Sequence, residues 1–265
     1  MVADISAYVA VLSCGFADRE RALAQRLQTQ LVNPSDLPSG LSYLLAYGEE
    51  GLELINLAAP KTRPIRVDFA TGKAQHRRLY GGGQGQMIAK AVGVSSRFKP
   101  KLLDCTAGMG GDGFVLACLG CSVTLLERNP VVHALLADGL ARAAALGEPE
   151  LDDITGRLRL INDDAIGYLQ TLPGDQTADV IYLDPMFPER KKSAAVKKEM
   201  QFFHSLVGAD LDQTELLMVA RSKAVYRVVV KRPRLAEAIG EQQPSFQVVG
   251  KTSRYDIYVN KKIPG

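Results

Sequence analysis

The chain has 265 residues, 46% of them hydrophobic and 23% charged, with a net charge of +3. These are globular proportions, which argue against a disordered or fibrous chain, and the length suits one large domain plus a small one. No apolar run approaches the ~18 residues of a membrane span, and the start lacks a basic leader and carries Asp4, so neither a transmembrane helix nor a secretory signal is expected.

Four cysteines, Cys14, Cys105, Cys118 and Cys121, suit a reduced cytoplasmic protein better than a disulfide framework. The charge is segregated. Residues 1–60 hold three Lys/Arg and seven Asp/Glu, residues 61–100 hold nine against one, and residues 221–262 hold ten against three. Two basic blocks around a neutral-to-acidic middle suggest a polyanionic partner, although a charge run alone is as often a solvated face.

In chain order, residues 1–80 read as a small α+β domain. Strands are expected at 7–13, 41–47, 52–57 and 65–69, and a helix at 18–31. The turn signals are Asn33-Pro34-Ser35-Asp36 and Pro38-Ser39-Gly40. Gly81-Gly82-Gly83-Gln84-Gly85 has the composition of a hinge, and residues 81–265 form the second domain, opening with a short helix from 86. From residue 101 strands and helices alternate. Strands are expected at 101–106, 121–126, 157–162, 179–183 and 226–230. Helices are expected at 112–119, 130–145, 165–172, 194–207 and 212–223. An antiparallel pair, 246–251 with 255–259, closes the chain. Asn129 with Pro130 is a helix start by cap and first-turn chemistry. Such alternation predicts a parallel sheet covered on both faces, with ligands bound beyond the carboxyl ends of its strands.

The residues at those strand ends carry the chemistry. Asp104-Cys105-Thr106-Ala107-Gly108-Met109-Gly110-Gly111-Asp112-Gly113 follows a strand and opens a helix, with Gly108, Gly110 and Gly113 at the spacing of a nucleotide-binding loop. Glu127 ends the next strand, placed to accept hydrogen bonds from ribose hydroxyls. A dinucleotide would set its pyrophosphate against this helix start, where Asp104 and Asp112 would repel it with no nearby Lys or Arg to compensate. S-adenosylmethionine carries an ammonium and a sulfonium but no phosphate, so carboxylates suit it better than NAD. Asp163 and Asp164, after the third strand, fit the same scheme, with Ala165 and Ile166 against the adenine; one of the two acids could instead cap the helix that follows.

Tyr182-Leu183-Asp184-Pro185-Met186-Phe187 ends the fourth strand. Acid, proline and aromatic at this point resemble the signature of amino-methyltransferases, with Met186 in place of a second proline. An exocyclic amine is a poor nucleophile because its lone pair is delocalised. The Asp184 carboxylate and the Pro185 carbonyl can accept its hydrogens and orient the nitrogen, and Phe187 can stack on an extruded base.

With these strings the chain resembles the ribosomal small-subunit methyltransferase J family. The similarity runs over residues 76–260, through His76-Arg77-Arg78, the glycine loop, Leu126-Glu127-Arg128-Asn129-Pro130, Tyr182 to Pro188, Lys197-Lys198-Glu199-Met200, Val230-Lys231-Arg232-Pro233 and Arg254-Tyr255-Asp256. The resemblance implies a class I methyltransferase sheet of seven strands, the last antiparallel. It also implies methyl transfer from S-adenosylmethionine to the N2 amine of a guanosine in 16S rRNA. Cofactor contacts would fall on Gly111-Asp112, Glu127-Arg128, Asp164-Ala165 and Asp184; the family often has Arg at the position of Gly111.

Candidate phosphate contacts are Arg77, Arg78, Arg190, Lys191, Lys192, Lys197, Lys198, Lys231 and Arg232, with 16S rRNA or the small ribosomal subunit as partner. No membrane partner and no metal are expected. Cys118 and Cys121 lack a second pair and read as packing residues, and His76, His133 and His204 are scattered. Nothing in the sequence sets an oligomeric state. Two rival readings share these features: an NAD-dependent oxidoreductase with the same loop, and an RNA-binding factor without activity. Methylation of another RNA or DNA base amine would need the same residues.

Overall fold

A computed structural model describes residues 5–71, 86–173, 178–186 and 212–264. Its larger sheet has seven strands: β5 (Leu102–Asp104), β6 (Val123–Leu126), β7 (Leu158–Ile161), β8 (Ala178–Leu183), β9 (Ala224–Pro233), β10 (Phe246–Val249) and β11 (Ser253–Val259). The smaller has β1 (Val9–Leu12), β2 (Leu31–Val32), β3 (Tyr43–Gly48) and β4 (Gly51–Asn56).

The order of the larger sheet is β10-β11-β9-β8-β5-β6-β7. Strands β7, β6, β5, β8 and β9 run parallel, and β11 lies antiparallel between β9 and β10. The parallel strands are short apolar runs because both faces are covered. Alternate residues point to opposite faces. Leu102, Val180, Tyr182, Val229, Tyr255 and Ile257 enter one core, with helices α2 (Met87–Val92), α3 (Gly111–Cys118), α4 (Pro130–Ala144) and α5 (Pro149–Gly156). Leu103, Ile181, Leu183, Val228, Val230 and Tyr258 enter the other, with α6 (Ala165–Thr171) and α7 (Gln213–Lys223). The expected seven-stranded α/β sheet with its last strand antiparallel is thus present.

Arg254 and Asp256, one motif of the resemblance, form a buried bidentate pair: Nε and Nη2 donate to the two carboxylate oxygens at 2.8 and 3.0 Å. Arg254 Nη1 also donates to the Arg234 carbonyl at 2.9 Å, which shapes the chain leaving β9.

Asn129 caps α4, its Oδ1 accepting from the Val131 and Val132 amides at 3.0 and 3.2 Å, with Pro130 at the first helical position. Asn129→Ala should lower stability by about 1 kcal/mol, read as a lower Tm in calorimetry; an unchanged Tm would show that the cap contributes nothing.

The smaller sheet has order β2-β1-β3-β4, with β1 parallel to β2 and β3, and β3 antiparallel to β4. Helix α1 (Ala17–Arg26) packs on it, and buried Glu20 receives the Cys14 and Phe16 amides at 2.6 and 3.2 Å. Three sequence expectations need correction. The helix at 18–31 stops at Arg26, because Gln28 takes a left-handed φ of 51° and Leu31–Val32 pairs with β1. Residues 65–69 make one isolated bridge, Leu54 to Ile65, rather than a strand, since Asp68 bends the chain by accepting from the Ala70 and Thr71 amides. Helix α5, with its own Pro149 at the start, was not expected.

This sheet packs directly on α4. The Leu52 amide donates to Asp138 Oδ2 at 3.0 Å, the same oxygen pairs with Arg142 Nε at 2.7 Å, and Arg142 also donates to the Val67 carbonyl. Gly139 lets that segment approach, since a Cβ there would lie 2.6 Å from Val67 Cγ1. The expected division at residues 80 and 81, and the helix expected at 194–207, lie outside the described residues.

Candidate active site

The carboxyl ends of β5, β6, β7 and β8 open onto one cleft of about 610 Å³, open solvent space included. Its walls include Thr106, Gly108, Glu127, Arg128, Asp164, Ala165, Ile166, Asp184, Met186 and Asp212, with apolar cover from Leu126, Val132 and Leu216. Of the residues expected from sequence, the structure brings Gly108, Glu127, Arg128, Asp164, Ala165 and Asp184 together in this wall. Asp104, Gly110, Gly111 and Asp112 stand beside it without lining it, and Pro185 is buried in the turn after β8. Phe187 lies outside the described residues, as do Arg77, Arg78, Arg190, Lys191, Lys192, Lys197 and Lys198.

The glycine loop folds for local reasons. Gly108 and Gly110 have φ of 53° and 73°, a region costly for residues with a Cβ. A Cβ at Gly110 would also meet Leu136 Cδ1 at 2.6 Å, and one at Gly113 would overlap Leu125, so α3 lies close on β6. At Gly108 a Cβ would meet only the Thr106 carbonyl, at 4.0 Å; the space in front of that residue is left open by protein. Glu127, 7% exposed, braces the loop: its two oxygens accept from the Gly108 amide at 2.9 Å and the Asn129 amide at 2.7 Å.

Across the cleft, Asp164 caps α6, its Oδ1 accepting from the Gly167 amide at 3.0 Å, while Asp163 Oδ1 accepts from the Asp164 amide. The cap is therefore Asp164. Its other oxygen faces Arg128 Nη1 at 3.9 Å, and Asp212, at the start of α7, takes the same guanidinium nitrogen at 2.9 Å. Asp212 and Thr106 are site residues that the sequence did not reveal. Thr106 Oγ1 accepts the Asp184 amide at 2.6 Å and so fixes the turn after β8 to the glycine loop. A strand-end acid was a signal at Asp104, Glu127 and Asp184; nothing local marks Asp212, 84 residues from its partner.

Behind the cleft lies a charge cluster. Lys231 Nζ donates to Asp112 Oδ2 at 2.7 Å and to Asp184 Oδ2 at 2.8 Å, and Tyr182 donates its hydroxyl to Asp112 Oδ2 at 2.7 Å. The expectation that no cation stands near Asp104 and Asp112 is therefore wrong: Lys231 comes from the end of β9, 119 residues from Asp112. Its ammonium is engaged by carboxylates, so it is not the phosphate contact the sequence suggested. Arg232 is not one either. One residue on, it points to the other face, is 4% exposed, and donates to the Glu237 carbonyl and to Gln213 Oε1 at 3.1 and 3.2 Å. Gln213 in turn donates to the Met186 carbonyl at 3.3 Å, so Arg232 supports the turn after β8 from behind.

Burial is the main force on Asp104, 2% exposed, and with Asp112 and Asp184 it outweighs the Thr106 amide and Lys231, pushing the carboxyl from 3.8 up to about 8. Asp104 is thus mostly neutral at pH 7. Burial opposes the charge of Lys231, but Asp184 and Asp112 outweigh it and raise its pKa.

An acid raised in the folded state contributes stability that is complete below its unfolded value, near 3.8, and lost as pH rises toward 8. Asp104→Asn, which cannot ionise, should therefore gain on the parent between pH 4 and 8 and level off above. The shift sets a ceiling of roughly 6 kcal/mol. Denaturant melts at pH 5 and 8.5 would refute this if the difference between the two proteins were the same at both.

The cleft's chemistry fits S-adenosylmethionine. Among the described residues, four carboxylates, Glu127, Asp164, Asp184 and Asp212, line it with one cation, Arg128, and the apolar walls suit a purine. A pyrophosphate would face that acid set. The family described as “Putative SAM-dependent methyltransferase” matches residues 25–260. The ribosomal RNA small subunit methyltransferase J of Cellvibrio japonicus is 48% identical over 260 residues, covering 96% of this chain and 97% of the relative. That of Ectopseudomonas mendocina is 52% identical, over 84% of this chain and 85% of its own. This chain belongs to the ribosomal RNA small subunit methyltransferase J family.

The fold agrees. The crystal structure of a SAM-dependent methyltransferase from Neisseria gonorrhoeae matches with a TM-score of 0.70 at 35% identity over 95% of both chains. As a methyltransferase J family member the chain is an S-adenosylmethionine-dependent enzyme. The described residues contain no helix long and apolar enough to cross a membrane, and no group of three His, Cys, Asp or Glu that could hold a metal.

Proposed function

We propose that this protein transfers a methyl group from S-adenosylmethionine to the exocyclic N2 amine of one guanosine in 16S rRNA, acting in the cytoplasm on the rRNA or the small ribosomal subunit. The observation that carries this reading is the Asp184 carboxylate, in the cleft wall at the end of β8, with its amide bound to Thr106 and its Oδ2 to Lys231. Two features support the substrate class: the names of the relatives and the basic blocks of the sequence.

Glu127, Arg128, Asp164, Ala165 and Gly108 would hold the cofactor, with Asp104, Gly110, Gly111 and Asp112 forming the ground behind it. The bound cofactor supplies an electrophilic methyl group on a cationic sulfur. Asp184, through its carboxylate, and Pro185, through its carbonyl, accept the amine hydrogens and turn the nitrogen lone pair toward the cleft. Phe187 stacks on the base. No strong base is needed, because the alkylated amine is acidic enough to release its proton to solvent. Residues 1–80 form the smaller domain and residues 81–265 the catalytic one.

The test is transfer of tritiated methyl from S-adenosylmethionine to naked 16S rRNA and to small subunits, followed by nucleoside analysis. N2-methylguanosine is expected. Label in a different nucleoside would overturn the target, and binding of NAD in preference to S-adenosylhomocysteine would overturn the reaction class.

A further inference from the structure

We infer that Lys231 is a positioning residue for methyl transfer, fixing the Asp184 carboxylate in its ionised, hydrogen-accepting form and tying it to the start of α3. This rests on the catalytic reading of Asp184 given above.

The geometry is specific. One ammonium bridges two carboxylates from different elements, Asp112 on α3 at 2.7 Å and Asp184 after β8 at 2.8 Å. A compact ammonium with three rotatable donors does this readily, whereas the planar fork of a guanidinium matches a single carboxylate best, edge to edge. The sheet aims the lysine. In β9, Val229 faces the core shared with α3, and Lys231, two residues on, stands on the same face and pairs in register with Tyr255 of β11. The rings of Tyr182 and Tyr255, 6.4 Å apart, pack there, and Tyr182 holds the Asp112 oxygen that Lys231 also holds. Glu127 and Thr106 fix the loop on the other side.

The groups facing Asp184 explain why a cation is needed. They are Asp104 from β5, Asp112 from α3, Tyr182 from β8 itself, Lys231 from β9 and Tyr255 from β11. Burial and the Asp112 and Asp184 charges already push Asp104 up to about 8. Without Lys231, Asp112 and Asp184 would face each other uncompensated, and like charges drive one of such a pair to take up a proton. A protonated Asp184 is a donor on one oxygen, and cannot receive the amine hydrogens as a carboxylate does.

The experiment uses the full chain with Lys231→Met, Lys231→Arg, Asp184→Asn and the Lys231→Met/Asp184→Asn double variant. Steady-state and single-turnover methylation of 16S rRNA is measured from pH 5.5 to 9, alongside calorimetric binding of S-adenosylhomocysteine. For Lys231→Met, kcat should fall about 10²-fold, its acid limb should move to higher pH, and S-adenosylhomocysteine should bind no more weakly than to the parent. Lys231→Arg should return the acid limb to the parental pH and recover part of kcat. On the Asp184→Asn background the methionine change should add little, because the charge it governs is gone.

Parental kcat and limb in Lys231→Met would overturn the inference, as would an equal loss on both backgrounds. Should the methionine variant fail to fold, Lys231→Arg decides: an acid limb at the parental pH with reduced kcat supports the inference, and a displaced limb overturns it. Full activity in Asp184→Asn would instead overturn the catalytic reading beneath it.

Discussion

Asp184→Asn should lower kcat for methyl transfer about 10²–10³-fold, the range seen when one hydrogen-bonding group of a preorganised site is removed. The substitution is isosteric. The backbone amide still donates to Thr106 Oγ1, and Oδ1 of the new side chain can still accept one hydrogen bond. What is lost is the charge, one acceptor and the ion pair with Lys231. The amine would then meet an amide NH₂ where it needs a carboxylate oxygen. Because the side chain is part-exposed at the cleft wall, the fold should survive, with a Tm close to the parent's. Single-turnover methylation of 16S rRNA reads the rate, and a loss smaller than about threefold, far below that range, would remove Asp184 from the chemistry.

Glu127→Ala should cost both stability and cofactor affinity. The carboxylate is buried and receives the Gly108 and Asn129 amides. Removing it strands two backbone donors at about 1–3 kcal/mol each, and it frees the loop that carries Gly108. Affinity for S-adenosylhomocysteine should fall at least ~30-fold, since each 1.4 kcal/mol is tenfold. Glu127→Gln keeps one accepting oxygen but turns an NH₂ toward the second amide, so it should fall between parent and alanine. Calorimetric titration and thermal melts check the order. An alanine variant that binds S-adenosylhomocysteine like the parent would separate the loop brace from the cofactor site.

Much of the architecture was legible in the sequence because its signals are local. The run 102–104 into a glycine loop, Glu127 at the end of β6 and Asp184 at the end of β8 each announce a strand exit, and strand exits on one sheet share one edge. Asn129 and Pro130 mark the start of α4 by their own chemistry. The misses have physical causes. Gln28 ends α1 in a conformation that its side chain does nothing to advertise, and β2 is two residues long. Helix α5 has only eight residues, and beyond Pro149 at its first position little in its sequence sets it apart from a loop. Lys231 and Arg232 look alike as candidate phosphate contacts in the sequence, but neighbours in a strand face opposite sides, and each is engaged within the protein. The partners of Lys231 and of Arg128 are 36 to 119 residues away, and no local pattern records such pairings.

Helix α4 touches both halves of the molecule. Its first turn presents Val132 to the cleft, while Asp138, six residues on, takes the Leu52 amide and Arg142, ten residues on, reaches the Val67 carbonyl. Fifteen helical residues are a stiff rod of roughly 22 Å. It acts as a spacer: because both ends are anchored, the N-terminal sheet and the wall of the cleft are held at a constant separation and cannot shift independently.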